Sequence, residues 1–493
     1  MKKIVLILII ALSAVSGSYA QYDTEILKYS QSFLQADARS LGVGNAFGAV
    51  GANFVSSSIN PAGLALFRKG EFFFSAGFAN SSTTSEYLNN TTKSGKSLLS
   101  LPSIGLVFTD IKKQNGVEVE NGWVSQTFAM GLNRTNSFSG RQNYSGINDN
   151  NSILDYFTES ATGKYVKDLP YLTKMAYEIY LIDHPKPNDK LAYINALDDD
   201  TFGIVNISQE RLFSSRGSAY DMNFAFAANY SNRFFLGAKL GIPFFDYYKN
   251  SKFTENNNRA GKSNYLGMTH ESDVNISAIG FNAALGLIYK PIDYLRLGFS
   301  LQSPTFYRLS ENYTDKLTGN FDTMESKTYN QKGLFEYSSS TPFKATLSMA
   351  IIAGTYGFIS VDYEYIDFTK AYLSSNDYSF NFENNNIQEF FKPTSNIRAG
   401  GELKLGIFAI RAGYAYYPSP YNSQYEPEKG NRAAEAISLG FGIREKDYYL
   451  DFGLQNITTD EFELPYASNK KDVKGAVFSN TYTNFIGTLG FKF

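Results

Sequence analysis

The final nine residues constrain this chain more than any other stretch. Phe485, Leu489, Phe491 and Phe493 fall at every second position, with Gly487 the one gap, and Ile486, Thr488, Gly490 and Lys492 lie between them. In a β-strand this spacing puts the first set on one face and the second on the other. An oily face, an opposite face carrying a lysine and an aromatic last residue fit the closing strand of a membrane-spanning barrel, which has lipid outside and water inside.

The same period recurs along the chain. Met222, Phe224, Phe226 and Ala228 alternate with Asn223, Ala225, Ala227 and Asn229, and Leu295, Leu297, Phe299 and Leu301 alternate with Arg296, Gly298, Ser300 and Gln302. Phe408, Ile410, Ala412, Tyr414 and Tyr416 do so against Ala409, Arg411, Gly413 and Ala415. Strands are read as starting near residues 70, 100, 122, 214, 232, 264, 293, 325, 356, 391, 407, 432, 446 and 478, about fourteen in all, an even number that suits antiparallel closure. Short connections at Ser231-Asn232, Pro291-Ile292-Asp293, Ala353-Gly354-Thr355, Leu405-Gly406 and Glu445-Lys446-Asp447 alternate with longer polar ones. This predicts tight turns at the periplasmic end and long loops outside, with residues 110–122 as an exception. Phe (41) and Tyr (36) are abundant although the mean hydropathy is only -0.26, so apolar and polar residues must interleave.

The start of the chain points to export. Lys2 and Lys3 precede an apolar run from Ile4 to Val15, then Ser16-Gly17-Ser18-Tyr19-Ala20, so residues 1–20 read as a signal peptide whose removal leaves Gln21 first. The run is too short for a membrane-spanning helix, which needs about 20 apolar residues. With no Cys, disulfides, thiolate metal sites and a lipid-modified cysteine are excluded. A net charge of -2 with scattered Lys and Arg gives nucleic-acid binding no electrostatic support. His184 and His270 lie in no metal-ligand spacing, and Asp198-Asp199-Asp200 reads as a solvated acidic run, so neither metal nor cofactor is expected. No nucleophile elbow is present, and an enzyme is not expected.

Residues 139–214 form the longest connection, far beyond an ordinary loop, and should carry structure of their own. Leu169, Leu172, Met175, Ala176, Ile179 and Tyr180 recur at helical spacing before Pro185 and Pro187, with a weaker helical pattern at Ile153 to Phe157. The apolar face of that helix either caps the barrel rim or catches ligand through Leu169, Leu172, Met175 and Ile179.

After the leader comes a stretch of small residues, Ala38-Arg39-Ser40-Leu41-Gly42-Val43-Gly44-Asn45-Ala46-Phe47-Gly48, which leads to Asn60-Pro61-Ala62-Gly63. On Arg39, Gly42, Gly44, Ala46, Phe47, Asn60, Pro61, Ala62 and Gly63 the chain resembles the FadL/TodX-like outer-membrane transporters of hydrophobic compounds. The resemblance implies an all-β fold, a transmembrane antiparallel barrel of about fourteen strands over residues 69–493, plugged by an N-terminal hatch over 21–68. It also implies a monomer of the bacterial outer membrane that takes up hydrophobic small molecules such as long-chain fatty acids or aromatic hydrocarbons. The alternative is a barrel whose outer loops dock a secreted or surface protein.

Inward charges follow from the alternation. Arg296 and Arg411 are candidates to meet a carboxylate, against the alternative of a structural ion-pair network in the lumen. Phe491 and Phe493 are the expected signal for the barrel-assembly machinery, and outer-membrane lipid is the expected partner of the oily faces.

Overall fold

A computed structural model describes residues 22–197, 206–259, 264–427 and 429–493; the signal peptide and the acidic run at 198–200 lie outside the described residues. Fourteen antiparallel strands close into a barrel. They are β1 (Glu71–Tyr87), β2 (Asn90–Ile111), β3 (Trp123–Ser137, resumed as Gly140–Asn148), β4 (Ile207–Tyr230), β5 (Phe234–Asn257), β6 (Tyr265–Ile292) and β7 (Leu295–Gln302, resumed as Phe306–Phe321). The ring continues with β8 (Lys327–Ser340, resumed as Lys344–Ile352), β9 (Gly357–Asp367, resumed as Tyr372–Ser374), β10 (Pro393–Leu405), β11 (Phe408–Tyr417), β12 (Asn431–Arg444), β13 (Tyr448–Glu463) and β14 (Ala476–Lys492). Closure is made by β1 against β14, in register from Glu71↔Lys492 to Glu86↔Val477.

Alternation sorts the side chains as lipid and lumen require. Phe226, Leu285, Leu347, Ile410, Leu439 and Phe485 are 44–65% exposed on the outside, members of an apolar belt that runs round the wall. Ile486, Gln455, Asn229 and Arg411 point inward and are buried. The tight turns at one end fall where the sequence placed them; Ser231 and Asn232 both take positive φ (53° and 52°) in a turn closed by Arg233 N donating to Tyr230 O at 3.1 Å. The longer 112–122 connection carries a small hairpin, Lys113–Gln114 against Val117–Glu118.

Two strand boundaries depart from expectation for one reason. β2 starts at Asn90, joined to β1 by a tight turn at Leu88 and Asn89, and not near residue 100. Likewise 140–148 and 207–214, assigned to the long connection, are wall strand paired to each other, so the true connection runs over 149–206. The wall here rises above the apolar belt, where the outward face is mostly polar and the inward one carries only scattered aromatics such as Tyr144 and Phe213, so the regular oily alternation is lost.

The described N-terminal segment lies within the barrel. Helix α1 (Tyr22–Ser30) sits high in the lumen, with Ile26 and Leu27 packed among Phe245, Leu309 and Ile387. The chain then descends to α2 (Ala38–Gly42), α3 (Ser56–Ile59) and a 3-10 turn over Pro61–Leu66. Asp37 caps α2, accepting from Arg39 N and Ser40 N at 3.0 and 3.1 Å. Asn60 caps the 3-10 turn through Ala62 N at 3.2 Å, with Pro61 in the first position, where its missing N–H leaves nothing unpaired. Above the wall, α4 (Ile153–Ala161) and α5 (Tyr171–Glu178) form a cap over β5, β6 and β7, and α6 (Asn381–Phe390) covers α1.

Candidate functional site: a plugged floor, an upper cavity and a wall seam

The lower lumen is filled by backbone meeting backbone. Inward glycines on seven strands, Gly237, Gly286, Gly298, Gly400, Gly413, Gly440 and Gly453, abut the N-terminal segment. A Cβ at Gly237 would lie 2.3 Å from Pro61 C, at Gly400 2.2 Å from Val43 O, at Gly413 2.2 Å from Gly44 N, and at Gly453 2.6 Å from Ala38 O. Several are cross-strand neighbours: Gly237↔Gly286, Gly400↔Gly413 and Gly440↔Gly453. The sequence reading missed this belt. Its signal was available as glycine at an inward position in strand after strand.

Charges fasten the same level. Arg39 reaches Glu402 with two prongs, and Glu402 also receives Arg411 Nε at 2.6 Å. Arg411 in turn meets Asp451 at 2.8 Å, and Arg444 pairs with Asp451. Asp362 accepts from Phe47 N at 3.0 Å and Gly48 N at 3.1 Å, and Asn60 Nδ2 donates to Gly48 O at 2.7 Å. Arg296 Nη1 donates to Val50 O at 2.5 Å. The two arginines named as carboxylate receptors, Arg296 and Arg411, therefore face the lumen but hold protein. Gly42, Gly44, Phe47, Asn60, Pro61, Ala62 and Gly63 are all buried at this level.

Above the plug lies a cavity of about 320 Å³, bordered by α1 and by β1 to β5 and β12 to β14. Its wall mixes Phe33, Phe138, Phe213 and Tyr482 with charged groups. Three carboxylates already hold cations: Glu25 with Lys28 at 2.6 Å, Glu463 with Arg211 at 2.8 Å, and Glu461 with Arg432 at 3.8 Å. Lys249, over the Phe213 ring at 5.0 Å, has no ion-pair partner within 4 Å among the described residues. The amide nitrogens of Asn480 and Asn484 in the same lining are buried without partners.

The cavity reaches a discontinuity in the wall. β2 pairs with β3 only from Ser103 to Ile111, and residues 90–102 have no backbone partner on β3 among the described residues. At residues 138–139 β3 breaks and leans inward, so the Tyr144 ring lies tilted against Tyr87 (4.6 Å between centroids) and 6.0 Å from Phe478 across the lumen side. Lys96 and Leu98 on one side of this seam and Asn136 to Gly140 on the other all line the cavity, while the adjacent Leu99 is 79% exposed on the outside. Residues 31–35 of the N-terminal segment brace the break, with Gln35 N donating to Arg134 O at 3.0 Å and Ser32 Oγ to Thr135 O at 3.1 Å.

The cap helix does not offer a free face. Leu169, Met175 and Ile179 are at most 7% exposed in a cluster with Phe157, Tyr265 and Phe321, and Leu172 packs against it. Protein already fills the surface proposed for ligand capture. At the other end Phe491 and Phe493 project outward; Phe493 N donates to Gly70 O at 3.0 Å and its ring lies 6.2 Å from Phe108, so the last residue touches the first hairpin.

A closed barrel with an apolar belt and a filled lower lumen is a transmembrane β-barrel. Its fold is that of the FadL/TodX-like transporters. The crystal structure of a Pseudomonas aeruginosa FadL homologue aligns with a TM-score of 0.59 at 11% identity, covering 94% of this chain and 100% of that one. The P. putida toluene transporter TodX aligns with a TM-score of 0.55 at 11% identity, covering 94% of this chain and 99% of that one. No protein-family model and no curated protein sequence matches the chain.

Proposed function

We infer that this barrel conducts hydrophobic small molecules bearing a polar end passively from the cell surface into the outer membrane. The observation that carries this reading is the contact between cavity and seam: the lower lumen is closed by backbone at seven glycines, whereas the cavity borders an unpaired stretch of wall at the edge of the apolar belt. An entering molecule meets Lys249, which has no ion-pair partner within 4 Å among the described residues, and the unpaired amide nitrogens of Asn480 and Asn484; these favour acceptor oxygens and make a carboxylate a better occupant than a bare hydrocarbon. Its alkyl part gains about 0.8 kcal/mol per methylene removed from water, so passage sideways to lipid runs downhill without an energy source. A cavity that borders the wall seam favours passage over a barrel that only docks a partner.

The test uses purified protein in liposomes. Ser139→Trp, placed at the break in β3, should reduce uptake of a labelled alkyl carboxylate to the level of protein-free vesicles while the barrel remains heat-modifiable. Undiminished uptake would rule out the sideways route.

A further inference from the structure

Where the ladder between β2 and β3 stops, side chains take over in strict register. Asn90 Nδ2 donates to Ser145 O at 3.0 Å, Thr92 Oγ1 to Asn143 O at 2.5 Å, and Ser94 Oγ to Arg141 O at 2.6 Å. Each step of two up one strand answers a step of two down the other, the order of an antiparallel pair. The fourth donor, Lys96 Nζ, passes over β3 to Ser215 O on β4 at 2.7 Å. Below it no such bond crosses the seam among the described residues until Ser103, whose Oγ donates to Leu132 O at 2.9 Å where the backbone ladder resumes.

A backbone ladder holds two strands about 4.8 Å apart through alternating N–H and C=O pairs and leaves no freedom in spacing. Here the carbonyls of residues 141, 143 and 145 are held by side chains, each a single rotatable fastener, at a level where the outward face is polar and water can replace any one bond. β2 itself is secured on its other side by full pairing with β1 from Tyr87↔Asn90 downward, and the upper part of β3 is secured to β4. The seam is thus a joint between two intact sheets.

We propose that Asn90, Thr92 and Ser94 set the aperture of this joint and so the largest molecule that leaves the cavity sideways. The inference rests on the passage route above and adds its size-determining residues. Undoing the fasteners lets the upper part of β3 move from β2 and extends upward the unpaired window that lies below Lys96, whereas the sheets on either side keep their pairing.

Thr92→Val combined with Ser94→Ala removes two fasteners and leaves shape and strand propensity nearly unchanged. The chain has no native Cys, so spin labels on Lys93→Cys and Arg141→Cys, both outward and exposed, report the gap directly. The expected result is a longer and broader label distance, with a several-fold rise in liposome uptake of a bulky branched alkyl carboxylate and little change for a slim linear one. An unchanged distance, or normal passage with an unchanged bulky-to-slim ratio, overturns the aperture role. Passage of neither probe through the wild-type barrel would instead overturn the uptake reading on which it rests.

Discussion

Arg39 and Glu402 form a two-pronged ion pair between plug and wall, Nε to Oε2 at 2.9 Å and Nη2 to Oε1 at 3.0 Å, although 363 residues separate them in sequence. A guanidinium matches a carboxylate in this way where an ammonium does not. Arg39→Gln should lower resistance to chemical denaturation in detergent micelles by about 3 kcal/mol, since it leaves Glu402 partly uncompensated in a buried place. Arg39→Lys should fall between. Equal stability of the Lys variant and wild type would show that the second prong contributes nothing.

The glycine belt makes a steric prediction. Gly413→Val places a side chain where Gly44 N would be 2.2 Å from its Cβ, and Gly237→Leu does so against Pro61. Neither wall strand has anything else to move, so the plug should be displaced while β10 to β12 and β4 to β6 stay paired. Cells carrying either variant should admit small polar antibiotics that wild type excludes, with normal barrel abundance. Unaltered sensitivity would mean the segment gives way without opening the floor.

For the cap, Met175→Ala creates a cavity beside Phe157 and Tyr265, at a cost of about 3 kcal/mol if the surroundings do not collapse. Faster proteolysis within residues 149–206 with unchanged uptake per folded barrel is the expected outcome. Reduced uptake without faster cleavage would restore a ligand-catching role for this face.

The cap also holds a pH-dependent group. Glu255, well above Phe244, the highest exposed apolar residue on β5, is fully buried and accepts from Ser152 Oγ, from Ile153 N at 3.0 Å and from Gln209 Nε2 at 2.6 Å. Burial raises its carboxyl from 4.5 to about 7 against these bonds; Asp155 adds a further push, and the other ionisable groups nearby are the phenols of Tyr87, Tyr265 and Tyr466. Between these two values the unfolded cap releases a proton that the folded cap keeps, so folding is favoured below about 4.5 and the advantage is lost as pH rises toward about 7. Amide exchange in α4, corrected for its intrinsic pH dependence, should be slower at acid pH than at neutrality. Glu255→Gln should flatten that difference; a persistent slope would assign it to another group.

Phe493 bridges the last strand to the first hairpin, through Gly70 O and the ring of Phe108. We expect its deletion to reduce the amount of heat-modifiable barrel, because the contacts that fasten β14 to the first hairpin are lost. Phe493→Tyr should retain most of it.

Period-two alternation was enough to determine the barrel, its closing strand and its strand number, because a lipid-facing side chain answers to the bilayer next to it and needs no distant partner. The rule fails above the bilayer. Residues 90–97 and 140–148 are wall strand with no continuous oily face, and only pairing to β1 and β4 reveals them. An amphipathic helix at residues 169–180 was legible for the same local reason, but its occupants, Tyr265, Leu317 and Phe321, were not. Arg296 and Arg411 were rightly turned inward by the alternation, yet whether they met ligand or protein depended on Val50, Glu402 and Asp451 arriving at the same height. Glycines at 237, 286, 400 and 413 are each ambiguous alone; strand register brings them to one level, and there the missing Cβ becomes room for the plug.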